Sequence, residues 1–254
     1  MRFPLRLTAE IIKARIGRMA RGGPADPLVL RVLAPATDLE AGSTLPPADE
    51  TVLAYVQART SPVVWFGGDR TFEYSGMGHL ARRVIDLGRT VFVETDGALL
   101  RRCIFSFRPV AQLFLAVQLD GLESSHDRRA AKPGLYRAAM EGIQAARLSG
   151  FMICVVTRIH EDTELQEIAE LQKAIAELDL DGWVLTAAPQ EAMSPVLDEQ
   201  LLRARPMAGR AWANFSRLVE ATEPLPVSQK TAAGGAVTDS ESGDEACQEG
   251  VHVP

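Results

Sequence analysis

Cysteine is nearly absent from this chain: Cys103, Cys154 and Cys247 are the only three, and they lie far apart. That separation supports neither a disulfide framework nor a metal site built from a local run of thiols. No stretch approaches the roughly 18 to 20 consecutive apolar residues that a membrane span requires. The N-terminus also lacks the apolar segment and small-residue cleavage site of a signal peptide, so the expected compartment is the cytoplasm. Aromatic residues make up only 6% of the chain, and beyond the first 23 residues no basic, aromatic surface is legible, so no nucleic-acid partner is expected.

What remains is ordinary for a soluble domain with a core: 46% apolar and 24% charged residues over 254 positions. That length suits one α/β barrel or one doubly wound sheet. The net charge of −6 is unevenly spread. Between 226 and 254, Asp239, Glu241, Asp244, Glu245 and Glu249 stand against Lys230 alone, a local net of −4. With Pro224, Pro226 and a Gly-rich, Ser-rich composition, residues 223–254 have little to bury and are expected to form a disordered acidic tail.

Residues 1–23 form a basic amphipathic segment. Arg2, Arg6, Lys13, Arg15, Arg18 and Arg21 stand against Glu10, and Ile12, Ile16 and Met19 recur at helical spacing, with Thr8 as the candidate N-cap. Two roles fit that pattern. One is a helix covering the bottom of the domain; the other is contact with an anionic membrane from its cytoplasmic side.

From 24 to 222 short apolar runs alternate with segments of helical period. The runs Leu28–Leu33, Val63–Phe66, Thr90–Glu94, Leu113–Leu119, Phe151–Thr157 and Gly182–Thr186 read as strands. Helices are expected near 48–59, 76–87, 98–105, 134–149, 163–178 and 195–221, several of the earlier ones closed by a glycine such as Gly88 or Gly150. Strands separated by helices pair in parallel, because parallel neighbours need a crossover. The expected fold is therefore α/β, a partial (βα)6 TIM-like barrel with an N-terminal helix.

In such a barrel the loops after the strand C-termini carry function. Gly67-Gly68-Asp69-Arg70 follows the second strand, where paired glycines admit close approach to backbone amides and Asp69 can accept from an ammonium. Glu94-Thr95-Asp96-Gly97 ends the third strand and Gln118-Leu119-Asp120-Gly121 the fourth. Each puts a carboxylate and a glycine on the open face, which together imply a polar ligand pocket. His126 beside Asp127 suggests a general base, but adjacent loop residues seldom aim at one atom, and a role in holding the loop is preferred. His79 and His160 have no metal-ligand spacing and read as solvated or satisfied.

These loops, in this order, resemble those of the radical S-adenosylmethionine (radical SAM) family. Gly67-Gly68-Asp69-Arg70 is similar to the Gly-Gly-Glu-Pro motif that contacts the methionine amino group of S-adenosylmethionine. Thr95-Asp96-Gly97 is similar to the family's Thr-Asn-Gly. Gln118-Leu119-Asp120-Gly121 with His126-Asp127-Arg128 resembles its Ser-Leu-Asp-Gly and His-Asp-Arg segment. The match runs from about 28 to 188. The opening Pro4-Leu5, the basic first helix, Pro27-Leu28-Val29-Leu30 and Asp120-Gly121-Leu122 look most like the hopanoid-biosynthesis members, which act on a membrane lipid.

The resemblance implies S-adenosylmethionine as ligand, with Gly67, Gly68, Asp69, Thr95, Asp96, Gln118 and Asp120 at its site. It also implies a Cys-x-x-x-Cys-x-x-Cys loop holding a [4Fe–4S] cluster. Here that loop reads Thr37 to Thr44, with Thr37, Ala41 and Thr44 at the ligand positions, and none supplies a thiolate. The cluster is therefore not expected. Asp69 in place of Glu, and Arg70 in place of Pro beside the expected ammonium, should weaken S-adenosylmethionine binding. The leading reading is a non-catalytic barrel that binds a ligand or a partner such as a related active enzyme. The alternative is an enzyme with an adenosyl or other polar pocket and Asp69, Asp96, Asp120 and His126 as acid/base groups. A third reading, a cluster held by Cys103 and Cys154 or by a partner, places neither cysteine on the right loop.

Overall fold

The computed structural model describes residues 3–21, 26–33, 48–68, 71–188 and 194–222. The six apolar runs form strands β1 (Val29–Leu33), β2 (Val63–Gly67), β3 (Thr90–Thr95), β4 (Leu113–Gln118), β5 (Met152–Ile159) and β6 (Gly182–Ala187). All pair in parallel and their order in space is their order in the chain, giving a curled half-barrel. The runs are apolar almost throughout because a parallel sheet of this kind is covered on both faces. β2 and β3 are accordingly buried along their whole length.

Around the sheet lie α1 (Leu5–Arg21), α2 (Ala48–Gln57), α3 (Met77–Asp86), α4 (Leu100–Cys103), α5 (Glu123–Ala130), α6 (Leu135–Leu148), α7 (Leu165–Ala176), α8 (Pro195–Ala204) and α9 (Arg210–Glu220). α3 shows how the outer layer forms. Met77, Leu80, Ala81, Val84 and Ile85 repeat at helical spacing and bury one stripe, while Arg82 pairs with Asp86 on the exposed side.

The register decides what points inward. Arg31, Trp65, Phe92 and Phe114 are successive neighbours across β1 to β4, so they share the concave face. Trp65 stacks on Phe92 at 4.9 Å and Phe92 on Phe114 at 4.6 Å, a continuous aromatic row inside the half-barrel. By the same alternation Glu94, Gln118, Val156 and Arg158 face inward, and Leu115 and Val117 outward.

Three local expectations need correction. Thr8 is not an N-cap: α1 starts at Leu5, and the Thr8 hydroxyl donates back to the Pro4 carbonyl at 3.1 Å. The segment around Ser125 to Arg128 is a helix, α5, and not a loop. The single helix expected at 195–221 is broken by a 3-10 turn at Arg205–Ala208 and by Gly209, whose φ of +87° an L side chain rarely adopts. That break turns α9 into the open side of the half-barrel. Phe215 reaches Phe92 at 5.3 Å between ring centroids, and the Trp212 indole occupies the space where a Cβ on Gly182 would lie. α9 thus fills the lower lumen between β6 and β1. The acidic segment 223–254 lies outside the described residues.

Phe92 stands where the aromatic row meets α9. Replacing it with alanine should cost about 4 kcal/mol, the usual loss for a large aromatic in a core that cannot collapse around the void. Urea unfolding of Phe92→Ala checks this, and a loss below about 1 kcal/mol would contradict the packing described.

Candidate functional site

At the C-terminal ends of β3 to β5 lies a cavity of about 240 Å³. Asp96, Gln118, Asp120 and His126 line it together with Arg129, Lys132, Arg158 and His160. Both signs of charge therefore face the same space.

Asp120 organises the floor. Its Oδ1 accepts from the Arg158 amide at 2.9 Å, and its Oδ2 accepts from the Gln118 side chain. Its own backbone N–H donates to His126 Nδ1 at 3.1 Å. An accepting Nδ1 fixes the neutral tautomer with the proton on Nε2. That Nε2 is buried and has no hydrogen-bond partner among the described residues. Burial pushes the His126 pKa below its ordinary 6.5; Asp120, Asp127 and Asp96 oppose the shift, and Arg129 adds to it. Arg129 also donates to the Asp120 carbonyl and pairs with Asp162 at 2.9 Å, which pins α5 over the loop.

Asp127 points elsewhere. Its carboxylate accepts from the backbone N–H of Gly134 at 2.5 Å and of Tyr136 at 2.8 Å, capping the start of α6. Those bonds, that from Tyr136 foremost, hold its carboxyl below the usual carboxylate range. His126 and Asp127 are neighbours in sequence but serve different backbone segments.

The other residues singled out in the sequence distribute as follows. Asp96 accepts from the Ala98 amide at 3.0 Å and from Lys132 Nζ at 3.0 Å, at the cavity rim. Thr95 ends β3, and its buried hydroxyl accepts from the Gly97 amide at 3.1 Å. Gly97 has a φ of +85°, and a Cβ there would lie 2.7 Å from the Ala139 backbone of α6. Only glycine lets that turn close against the helix. Gly67 ends β2 beside Glu94, whose Oε2 would be 3.1 Å from a Cβ, and Gly68 follows it, its carbonyl accepting from Thr71 at 2.7 Å. Neither glycine nor Thr95 lines the cavity. Asp69, Arg70, Thr37, Ala41 and Thr44 lie outside the described residues.

Sequence reasoning missed the cationic half of the site. Arg158 was legible only as a lone charge beyond an apolar run; in the structure β5 continues two residues past the expected end, and Arg158 turns inward. Its guanidinium donates to Glu94 Oε1 at 2.8 Å, and Glu94 Oε2 accepts from Trp65 Nε1 at 2.9 Å. Arg158 also lines a second cavity, of about 230 Å³, with Arg31, Glu94 and Trp65. Burial lowers the pKa of Arg31; Glu94 opposes that shift and Arg158 reinforces it. His160, read as solvated or satisfied, borders the first cavity.

Two of the three cysteines, Cys103 and Cys154, lie among the described residues. Cys154 sits in the middle of β5 between Ala116 and Gly182, wholly buried, and burial pushes its thiol well above the range in which a thiolate forms readily. Cys103 is buried at the end of α4.

The His126 arrangement makes the site sensitive to acid. A base whose folded pKa lies below its unfolded value gives stability that is complete above about pH 6.5 and is lost as pH falls through the folded value. The melting temperature should therefore drop between pH 7.5 and 5. A His126→Asn variant, which keeps an acceptor for the Asp120 amide but does not titrate, should show a shallower drop. Identical pH profiles for the two proteins would contradict the assignment.

No protein-family model matches the sequence, and no curated protein matches it. Solved structures do. Streptococcus suis SuiB bound to S-adenosylmethionine is similar over 75% of this chain, with a TM-score of 0.53 and 15% identity. TYW1 with a lysine–pyruvate adduct is similar over 70% of this chain and 70% of its own, with a TM-score of 0.50 and 14% identity. This chain spans about half of SuiB, 47% of its length. Both neighbours are radical SAM enzymes built on a half-barrel parallel sheet, and the likeness shows that this chain has the same fold.

Proposed function

We propose that this chain is a radical SAM-like half-barrel that no longer supports cluster-based radical chemistry and uses the cavity at its strand C-termini to bind a small polar ligand. The observation that carries the reading is the buried Nε2–H of His126, held without a partner among the described residues in a cavity lined by both carboxylates and cations. A buried donor left unsatisfied costs about 1–3 kcal/mol, a cost that a ligand acceptor removes. Arg129, Lys132 and Arg158 suit an anionic group such as a carboxylate. Asp96, Asp120 and Gln118 suit hydroxyl or ammonium donors.

S-adenosylmethionine carries all of these groups, and one solved neighbour of the same fold is bound to it. The sequence at Thr37, Ala41 and Thr44, together with the burial of Cys103 and Cys154, supports the loss of the cluster. Without it the reductive cleavage of S-adenosylmethionine has no electron source on this chain, so the ligand is bound and not cleaved.

A second reading keeps the pocket and gives it different chemistry, with Asp96, Asp120 and His126 as proton-transfer groups. The Asp120 amide holds His126 with its Nε2–H free to meet a ligand, so His126 acts there as a donor and the carboxylates of Asp96 and Asp120 as acceptors of a proton. The link to hopanoid or other lipid biosynthesis belongs to this second reading and rests on Pro4-Leu5 and the other short stretches named above.

Isothermal titration with S-adenosylmethionine, followed by product analysis after long incubation, separates the two. Binding that weakens at least about tenfold in Arg158→Ala, with S-adenosylmethionine recovered intact, is the expected result. Conversion of S-adenosylmethionine that disappears in Asp120→Ala would establish the second reading. Absence of binding would contradict both as far as this ligand is concerned.

A further inference from the structure

We propose that α1 is a membrane-docking helix that lays the bottom of the half-barrel on an anionic bilayer. α1 has two apolar faces, and the described residues cover one of them. Leu7 and Ile11 are buried, and Glu10 Oε2 accepts from the Thr90 hydroxyl at 2.9 Å, at the first residue of β3. Phe3, just before the helix, packs edge-on against Trp212 at 4.8 Å and Phe215 at 5.7 Å. These contacts seat α1 across the N-terminal ends of the strands.

The opposite face has no counterpart among the described residues. Leu5, Ile12, Ile16 and Met19 are 87%, 51%, 62% and 86% exposed. At helical spacing all four fall within an arc of about 60°, a stripe on the side away from Leu7 and Ile11. Four large apolar side chains aligned on one exposed helix are more than scattered surface hydrophobics explain.

The borders of the stripe say what covers it. Arg6 and Lys13 lie along one edge and Arg15 along the other, all exposed, and Arg18 is partly exposed beyond. Residues 5–21 hold five basic residues and one acid, Glu10, which is already engaged by Arg6 at 3.1 Å and by Thr90. An apolar stripe flanked by cations matches the boundary of an anionic bilayer, where the side chains enter the acyl region and the cations meet phosphates. A second copy of the chain would bring the same cations against each other.

The placement has a consequence for the site. α1 lies at the N-terminal ends of the strands and the cavity at the C-terminal ends, so a docked molecule presents its cavity away from the lipid. The ligand then arrives from the aqueous side, and a lipid embedded in the same bilayer does not reach it.

Sedimentation of the full chain with extruded vesicles tests the proposal. Vesicles of phosphatidylcholine with phosphatidylglycerol should carry down at least about tenfold more protein than phosphatidylcholine alone, and high salt should reverse the difference. The double variant I12S/I16S should lose that binding with an unchanged melting temperature, since neither residue is buried; K13Q/R15Q should lose the preference for phosphatidylglycerol. No sedimentation, or equal sedimentation with both vesicles, overturns the proposal. So does a concentration-dependent dimer in light scattering that I12S/I16S abolishes while vesicle binding is absent, for then a second copy is the occupant.

Discussion

Glu94 has both carboxylate oxygens committed inside the half-barrel, one to Trp65 Nε1 and one to the Arg158 guanidinium. A carboxylate so deeply buried is tolerated only with such partners, and leaving either of them alone would cost several kcal/mol. The bond to Trp65 anchors the aromatic row of β2 to β4. The bond to Arg158 fixes the end of β5, whose amide in turn holds the Asp120 carboxylate. Asp120 then positions His126. One hydrogen-bonded chain therefore runs from the aromatic row to the polar cavity through β2, β3, β5, the loop after β4 and α5, and the site's geometry depends on it.

This arrangement explains which parts of the molecule the sequence disclosed. Strands buried on both faces are written as apolar runs bounded by Gly, Pro and polar residues, so all six could be located to within two residues at every boundary. α5 could not. Glu123–Ala130 is polar nearly all round and buries only His126, so it has no periodic stripe; its helix is set by packing on α6 and by the Arg129 contacts. The break at Gly209 was foreshadowed by Pro206, but only the tertiary position of Phe215 and Trp212 shows why the chain must turn there. In the site, Asp96, Gln118 and Asp120 were legible because strand ends and glycines mark them. Arg129, Lys132, Arg158 and His160 were not, because their meeting depends on the register of β5 against β4 and on the position of α5.

The two ends of the half-barrel carry different physics. At the C-terminal end, charges of both signs surround a small cavity whose buried His126 donor is unmatched among the described residues. At the N-terminal end, an amphipathic helix closes the core with one face and exposes apolar side chains between cations with the other. Neither described cysteine lines the C-terminal cavity. Cys154 belongs to the sheet interior and Cys103 to the helical layer. The half-barrel is held by packing, by the aromatic row and by the Glu94 network.

Anaerobic reconstitution of the purified chain with iron and sulfide, followed by metal and acid-labile sulfide analysis, tests this account most directly. No cluster is expected: iron and sulfide at the level of a protein without ligands, and no charge-transfer absorbance in the visible range. About four irons and four sulfides per chain, retained through gel filtration, would contradict it, and would mean that thiols outside the expected loop assemble a cluster on this barrel.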